Sequence, residues 1–399
     1  MTTHIALCAI PGYGHVQPIL DVVGELTARG NRVTVASTDQ FGAPLEAAGA
    51  EVIRYGATRE GATDANSIAD ALAGFSSCAD PIAPIRAKLL DDKPDVLGFD
   101  STMWLAGRLL SAPLARPTLQ LSPCFVSNEH FSLPERVGEY AAREAALEST
   151  VDSGGPAEEP IDIVAEVKAL LKAEGITTGL EEFVSDARDR KLVFIPREFQ
   201  YAGDTFDDRH AFVGPCLGPR RLAGQWSPPD NGHPVLLVSL GTSTFNDQPG
   251  FFRSCARAFA GLPWNLVLTL GGGTDPATLG PLPPNVQAHQ WLPHPAVLDH
   301  ARAFVTSAGM GSIMESLSRD TPVVGVPHHG EQEVNTDRIL ELGLGGKIAR
   351  QDVTAESVRD TVLAVAEDTA IADRVHTMSE HFARAGGHRQ AADEILNMA

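Results

Sequence analysis

His4-Ile5-Ala6-Leu7-Cys8-Ala9-Ile10-Pro11-Gly12-Tyr13-Gly14-His15-Val16-Gln17-Pro18-Ile19-Leu20 joins an apolar run to a glycine-punctuated turn and an amphipathic segment. The run His4–Ile10 predicts a buried strand, and Pro11–Gly14 a tight turn. Val16, Ile19, Leu20, Val23 and Leu26 share one face at three-and-four spacing, which predicts a helix from about Val16 to Arg29, stopped by Gly30. Arg32–Ala36 reads as the next strand. Strand, helix and strand in this order build parallel sheets covered by helices.

The same alternation continues outward from this unit. Asp95–Phe99 predicts a strand running into Asp100, followed by a helix over Thr102–Leu110 and a strand at Thr118–Leu121. From Cys124 to about Arg190 the chain is rich in Ala, Glu and Leu, as expected of helices and loops that shape a cleft over the strand ends. Lys191–Ile195 restores a strand. Pro196–Asp230, with five prolines among glycines and charges, reads as an interdomain linker. The alternation then restarts, with strands expected at Val235–Leu240, Asn265–Leu270, Asn285–His289, Ala303–Thr306 and Pro322–Val326. Helices are expected at Pro249–Ala260, Gly311–Ser318, Val334–Leu342, Thr354–Glu367 and Ala370–Ala399, the last broken at Gly386-Gly387. The length of 399 residues suits two such domains. The expected boundaries are 1–200 for the first, 201–230 for the linker and 231–380 for the second, with 381–399 returning to the first.

Thirty-one Lys and Arg against 51 Asp and Glu leave a formal net charge of −20, which argues against nucleic acid or an anionic membrane as partner. Any anionic ligand must therefore be held by local dipoles. Five widely spaced cysteines with no Cys-x-x-Cys predict neither a disulfide framework nor a zinc site. A cytoplasmic protein without membrane insertion is expected, since Met1 leads straight into the first strand without a leader-like stretch.

Ligands of doubly wound sheets bind outside the carboxyl ends of the strands. His15 and Asp100 both fall on that rim in the first domain, and an imidazole oriented by a carboxylate is a general base. Taken alone, a helix-start residue and a helix cap explain them equally well. In the second domain, Thr306-Ser307-Ala308-Gly309-Met310-Gly311-Ser312-Ile313-Met314-Glu315 runs from strand through a small-residue turn into a helix. Such a turn presents unpaired amides and a positive dipole end to an anion without Lys or Arg. A tight, closely packed connection is the alternative reading. His328-His329-Gly330-Glu331-Gln332 supplies a carboxylate and an amide suited to sugar hydroxyls, or an ordinary acidic turn. Trp291 offers a flat face to a base, or packs. Gly12-x-Gly14 lacks the third glycine and acidic partner of a dinucleotide fingerprint, and the second turn lacks the Gly-Lys-Ser/Thr of a P-loop. Asp-x-Asp and Gly-x-Ser-x-Gly are absent, so no metal ligands are assigned and a serine hydrolase is excluded.

Taken in order, Pro11–Pro18, Phe99-Asp100, Val238-Ser239-Leu240-Gly241-Thr242, Trp291-Leu292-Pro293, Ser307–Glu315, Pro322–Pro327 with Glu331-Gln332, and Glu341-Leu342-Gly343-Leu344-Gly345 resemble the family 1 nucleotide-sugar glycosyltransferases of GT-B fold. The resemblance is strongest to the bacterial macrolide-type subgroup and spans nearly the whole chain. It implies two Rossmann-like domains facing across a cleft, and a UDP- or dTDP-sugar as co-substrate rather than a bound cofactor. It also implies inverting, metal-independent transfer to an apolar natural-product hydroxyl by a monomer or homodimer. His15 would be the base and Asp100 its support. Trp291 would stack on the pyrimidine and Glu315 hold the ribose. Ser307, Gly309, Gly311 and Ser312 would meet the pyrophosphate, with Ser239 and Thr242 on the opposite wall, and Glu331 and Gln332 would bind the hexose. Tyr13, Phe75 and Phe125 are the candidate acceptor contacts. The family usually carries histidine where this chain has Ser307, which removes a positive charge that His294, His328 or His329 is expected to replace in part. Rival readings are a non-catalytic GT-B homologue that activates a partner, a sugar-nucleotide epimerase and a nicotinamide-dependent oxidoreductase.

Overall fold

The computed structural model describes residues 2–55, 79–148, 163–185, 189–218, 225–241, 248–272 and 274–399. Its first domain comprises β1 His4–Cys8, α1 Tyr13–Ala28, β2 Arg32–Ser37, α2 Asp39–Ala47, β3 Glu51–Arg54, α3 Ala79–Asp91, β4 Val96–Asp100, α4 Trp104–Leu114, β5 Thr118–Ser122, α5 Leu133–Glu148, α6 Ile163–Ala173, α7 Leu180–Val184, β6 Arg190–Val193 and β7 His210–Phe212. The second comprises β8 Val235–Ser239, α8 Pro249–Ala258, β9 Asn265–Thr269, β10 Val286–His289, α9 His294–Leu298, β11 Ala301–Thr306, α10 Met310–Leu317, β12 Val323–Gly325, α11 Gly330–Leu342, β13 Gly345–Lys347 and α12 Ala355–Glu367. α13 Thr369–Ala385 and α14 Gly387–Leu396 end the chain.

Two all-parallel sheets result, ordered β3-β2-β1-β4-β5-β6-β7 and β10-β9-β8-β11-β12-β13. This is the doubly wound α/β architecture that the alternation predicts. Strands β1, β4, β8 and β9 are buried along their whole length, because helices cover both faces of each sheet. Strand order reverses between β1 and β4 in one sheet and between β8 and β11 in the other, which opens a crevice at each switch point.

Three expectations are corrected. The proline-rich stretch read as a linker still supplies β7, which pairs with β6, and Val213 and Cys216 are buried in the first domain's core. Further along, the Gly218 amide donates to the buried Asp21 carboxylate of α1 at 2.8 Å. The Cys124–Arg190 excursion does not stay over the first domain either. α6 and α7 pack on that domain through Val167, Leu171 and Phe183, but α5 lies against α11 of the second. Finally, α11 starts at Gly330 rather than Val334, so Glu331 and Gln332 occupy its first turn.

A shared core joins the domains. Phe125, Phe131, Phe199 and Phe206 from the first cluster with Met310, Ile313, Val334 and Ile339 from the second. α14 crosses back to the first sheet, where Ala391, Ala392 and Ile395 pack into the core beneath α1. Among the described residues, no helix is long and apolar enough to cross a membrane.

Candidate active site

The register of β1 against β4 pairs Cys8 with Phe99, so the segments leaving the two strands emerge together at the first switch point. Asp100 ends β4, buried to 2 % exposure, and His15 stands on the first turn of α1. Their side chains meet at 2.7 Å, between His15 Nδ1 and Asp100 Oδ2. A carboxylate only accepts, so the Nδ1 proton lies in this bond, and in the neutral imidazole the lone pair falls on Nε2. That is the tautomer a general base needs. The other carboxylate oxygen, Oδ1, accepts from the Thr102 amide at 2.9 Å and the Thr102 hydroxyl at 2.5 Å. Asp100 is thus both the cap of the short turn Ser101–Met103 and the orienting group of His15. The cap and base readings of the sequence are compatible, and Thr102 joins the site as a group that sequence reasoning passes over. Its signal is a hydroxyl residue two places after the capping acid, where its amide and side chain can both donate to the cap.

The second switch point is built alike. Ser239 of β8 pairs with Thr306 of β11, which places Ser307 beside Leu240. Gly309 caps α10 with extended backbone and brings no side-chain cap bond of its own. Ala308, before it, is held in the left-handed region at φ 64°, and Asn335 Nδ2 from α11 donates to its carbonyl at 2.9 Å. Gly309, Gly311 and Ser312 therefore line a helix start whose amides and dipole are open to an anion. Asn335 carries no signal in the sequence, because its function here is to hold a backbone bend that no local pattern announces.

Ser307 departs from its expected part in this wall. The residue is 3 % exposed, and its hydroxyl donates to the Leu240 carbonyl at 2.8 Å. The proton that a diphosphate oxygen would need is already given to the backbone. Ser239, equally buried, accepts from the Gly241 amide at 3.2 Å. Nor does His328 supply the missing charge. Burial, with Arg350 and His329 adding, pushes its imidazole down to about 4, so it is neutral near pH 7. His294 stands beside α10, with Nδ1 3.7 Å from Glu315 Oε2 and Nε2 2.9 Å from the Thr269 hydroxyl.

Contacts across the cleft bring the two rims together. Tyr13, on the same turn as His15, packs edge-on to Phe41 and lies 5.8 Å from the ring of Trp291. Trp291 is 59 % exposed, so much of its ring remains accessible beyond that contact. Burial raises the Cys124 thiol well above its ordinary range, and the carboxylates of Glu331 and Asp100 add to the rise. Cys124 therefore lies within electrostatic reach of an acid from each domain. Gln332 is buried and accepts from the His328 amide at 2.8 Å, fixing the turn before α11 while Glu331 stays half-buried beside it. Phe125 is placed in the interdomain core, 4 % exposed and stacked on Phe199, which corrects its reading as an acceptor contact. Phe75 and Thr242 lie outside the described residues.

Comparison with known proteins bears on this geometry. The family model described as UDP-glucoronosyl and UDP-glucosyl transferase matches residues 223–383. Demethyllactenocin mycarosyltransferase of Streptomyces fradiae is 35% identical, over 98% of this chain and 86% of its own. Oleandomycin glycosyltransferase of Streptomyces antibioticus is 38% identical, over 98% and 90%. Among solved structures, the calicheamicin glycosyltransferase CalG4 aligns with a TM-score of 0.83 at 38% identity, covering 100% of this chain and 98% of that one. Near-full-length identity at this level, on the same two-sheet architecture, shows that the chain is a glycosyltransferase and belongs to the family 1 nucleotide-sugar transferases of GT-B fold.

Proposed function

We propose that the protein transfers a hexose from a UDP- or dTDP-sugar to a hydroxyl of an apolar natural-product acceptor, with inversion and without a metal ion. The observation that carries this reading is the 2.7 Å His15–Asp100 pair at one switch point, joined by the Tyr13–Trp291 contact to the domain whose helix start is open. The acceptor hydroxyl gives its proton to His15 Nε2 as its oxygen attacks C1, and the imidazolium so formed is stabilised by Asp100. The C1–oxygen bond to the diphosphate breaks as the new bond forms. Negative charge accumulates on the leaving diphosphate, where the amides of Gly311 and Ser312 and the α10 dipole stabilise it. An α-linked D-sugar then gives a β-glycoside. Trp291 covers the base, Glu315 takes the ribose hydroxyls, and Glu331 with Gln332 takes those of the hexose. The related enzymes named for oleandomycin and calicheamicin support a natural-product acceptor.

The test is incubation with UDP- and dTDP-sugars and a panel of macrolides and hydrophobic phenols in metal-chelated buffer. An acceptor mass gain of one hexosyl unit, lost in H15A, is the expected result. Transfer that survives in H15A overturns the base assignment.

A further inference from the structure

We propose that Arg338 is a positioning residue, which fastens the sugar-binding end of α11 to the first domain and so sets the donor hexose in register with His15. This rests on the glycosyl-transfer reading above. Arg338 lies on α11 six residues beyond Gln332, about 9 Å along the helix. It is 8 % exposed, yet its main partners are not on its own domain. Nε donates to the Phe199 carbonyl at 2.9 Å, and Nη2 donates to the carbonyls of Gln200 at 2.9 Å and Glu198 at 3.1 Å. The guanidinium carbon sits 4.8 Å from the centre of the Tyr201 ring, and Nη1 pairs with Glu341 at 2.8 Å. The three carbonyls belong to one loop between β6 and β7. A buried guanidinium is costly unless its donors are met, and here the planar fork is met by a preset row of backbone oxygens.

The connection continues past that loop. Gln200 holds Val126 on both sides, accepting from its amide at 3.1 Å and donating to its carbonyl at 2.9 Å. Val126 is two residues beyond Cys124, the thiol that senses both Asp100 and Glu331. Tyr201 adds a second tie, its hydroxyl donating to the Val334 carbonyl of α11 at 3.0 Å. A helix that begins in the nucleotide domain is thus bonded at mid-length to the acceptor domain. Its first turn, with Glu331 and Gln332, keeps its place relative to the His15–Asp100 pair. The bonds of Arg338, Gln200 and Tyr201 do not themselves reach α10, whose start meets α11 through the separate Asn335–Ala308 bond.

The experiment uses the full chain with R338Q and R338K, and V362A as a control for lost stability in the second domain's core. At saturating donor, R338Q is expected to lower kcat for transfer by roughly 10- to 100-fold, the penalty of an ångström-scale misplacement of reacting groups. Its Kd for UDP or dTDP should stay within about twofold of wild type, since the nucleotide contacts lie elsewhere, and more donor should end as free sugar. R338K should recover part of kcat, because an ammonium meets one or two carbonyls but not the row. V362A should lose a similar number of degrees in Tm and keep kcat. If R338Q does not fold, R338K and Y201F carry the test, and wild-type kcat in both overturns the proposal. So does a folded R338Q with normal kcat, or with a loss matched by V362A. A wild-type protein that transfers no sugar at all refutes the underlying reading instead.

Discussion

At the residue scale, the first rim of the site rests on one carboxylate that serves two partners. Asp100 holds His15 through one oxygen and Thr102 through the other, so D100N should lower transfer nearly as much as H15A, whose expected loss is about 10²- to 10⁴-fold. T102V should cost far less, and initial rates at saturating donor separate the three. Ser307 makes the opposite prediction. Its bond to Leu240 is structural, so S307A should lower unfolding free energy by about 1 kcal/mol in urea while leaving nucleotide Kd unchanged. A fall in nucleotide affinity without a fall in stability would contradict that role. His328 predicts an acid dependence. Its folded value of about 4 lies below the ordinary 6.5, so between these pH values the unfolded chain binds the extra proton and stability falls as pH falls. The loss by about pH 5 should be about 1–2 kcal/mol, allowing for partial exposure. Tm measured from pH 7 down to about pH 5 should therefore drop less in H328Q than in wild type, although His4 and His210, also held low, contribute to both.

At the element scale, Gly345 of β13 shows what an edge strand requires. A Cβ at this position would run into the Val323 carbonyl of the neighbouring strand, so only glycine lets β13 pair with β12. G345A should destabilise by about 1–3 kcal/mol in denaturant, as forced overpacking does, and a change under about 0.5 kcal/mol would refute the packing argument. The same strand explains where sequence reading stops. Val235–Ser239 and His4–Cys8 are legible because a fully buried parallel strand is a continuous apolar run. Gly345–Lys347 and His210–Phe212 carry no such run, being three residues long and only partly buried at the sheet edges. Apolar spacing begins at Val334 and so places α11 four residues late, whereas its polar first turn is set by tertiary contact. His15 and Asp100 can be found because both follow strands that meet at a switch point. The inward turn of Ser307 cannot, since it depends on which carbonyl the neighbouring strand presents.

At the scale of the whole molecule, the question is whether two sheets behave as two cooperative units. The chain crosses between domains more than once, and each crossing is buried. α5 packs on α11, Phe125 and Phe199 share a core with Met310 and Val334, and α14 seats Ile395 beneath α1 after the second sheet is complete. Unfolding the second domain alone would expose that shared core and withdraw the helix that closes the first domain's face, so the partly unfolded state is disfavoured from both sides. Calorimetry should therefore show one transition. UDP or dTDP, whose proposed contacts lie on the second domain alone, should raise that entire transition, by about 2.7 kcal/mol at a hundredfold excess over Kd. I395A, remote from any nucleotide contact, should lower the same single transition by about 2–5 kcal/mol, the usual cost of a cavity in a packed core. Two resolved peaks, with nucleotide moving only one and I395A only the other, would mean that the domains fold independently. The helical strap at the end of the chain would then be a passive cover instead of a bond between them.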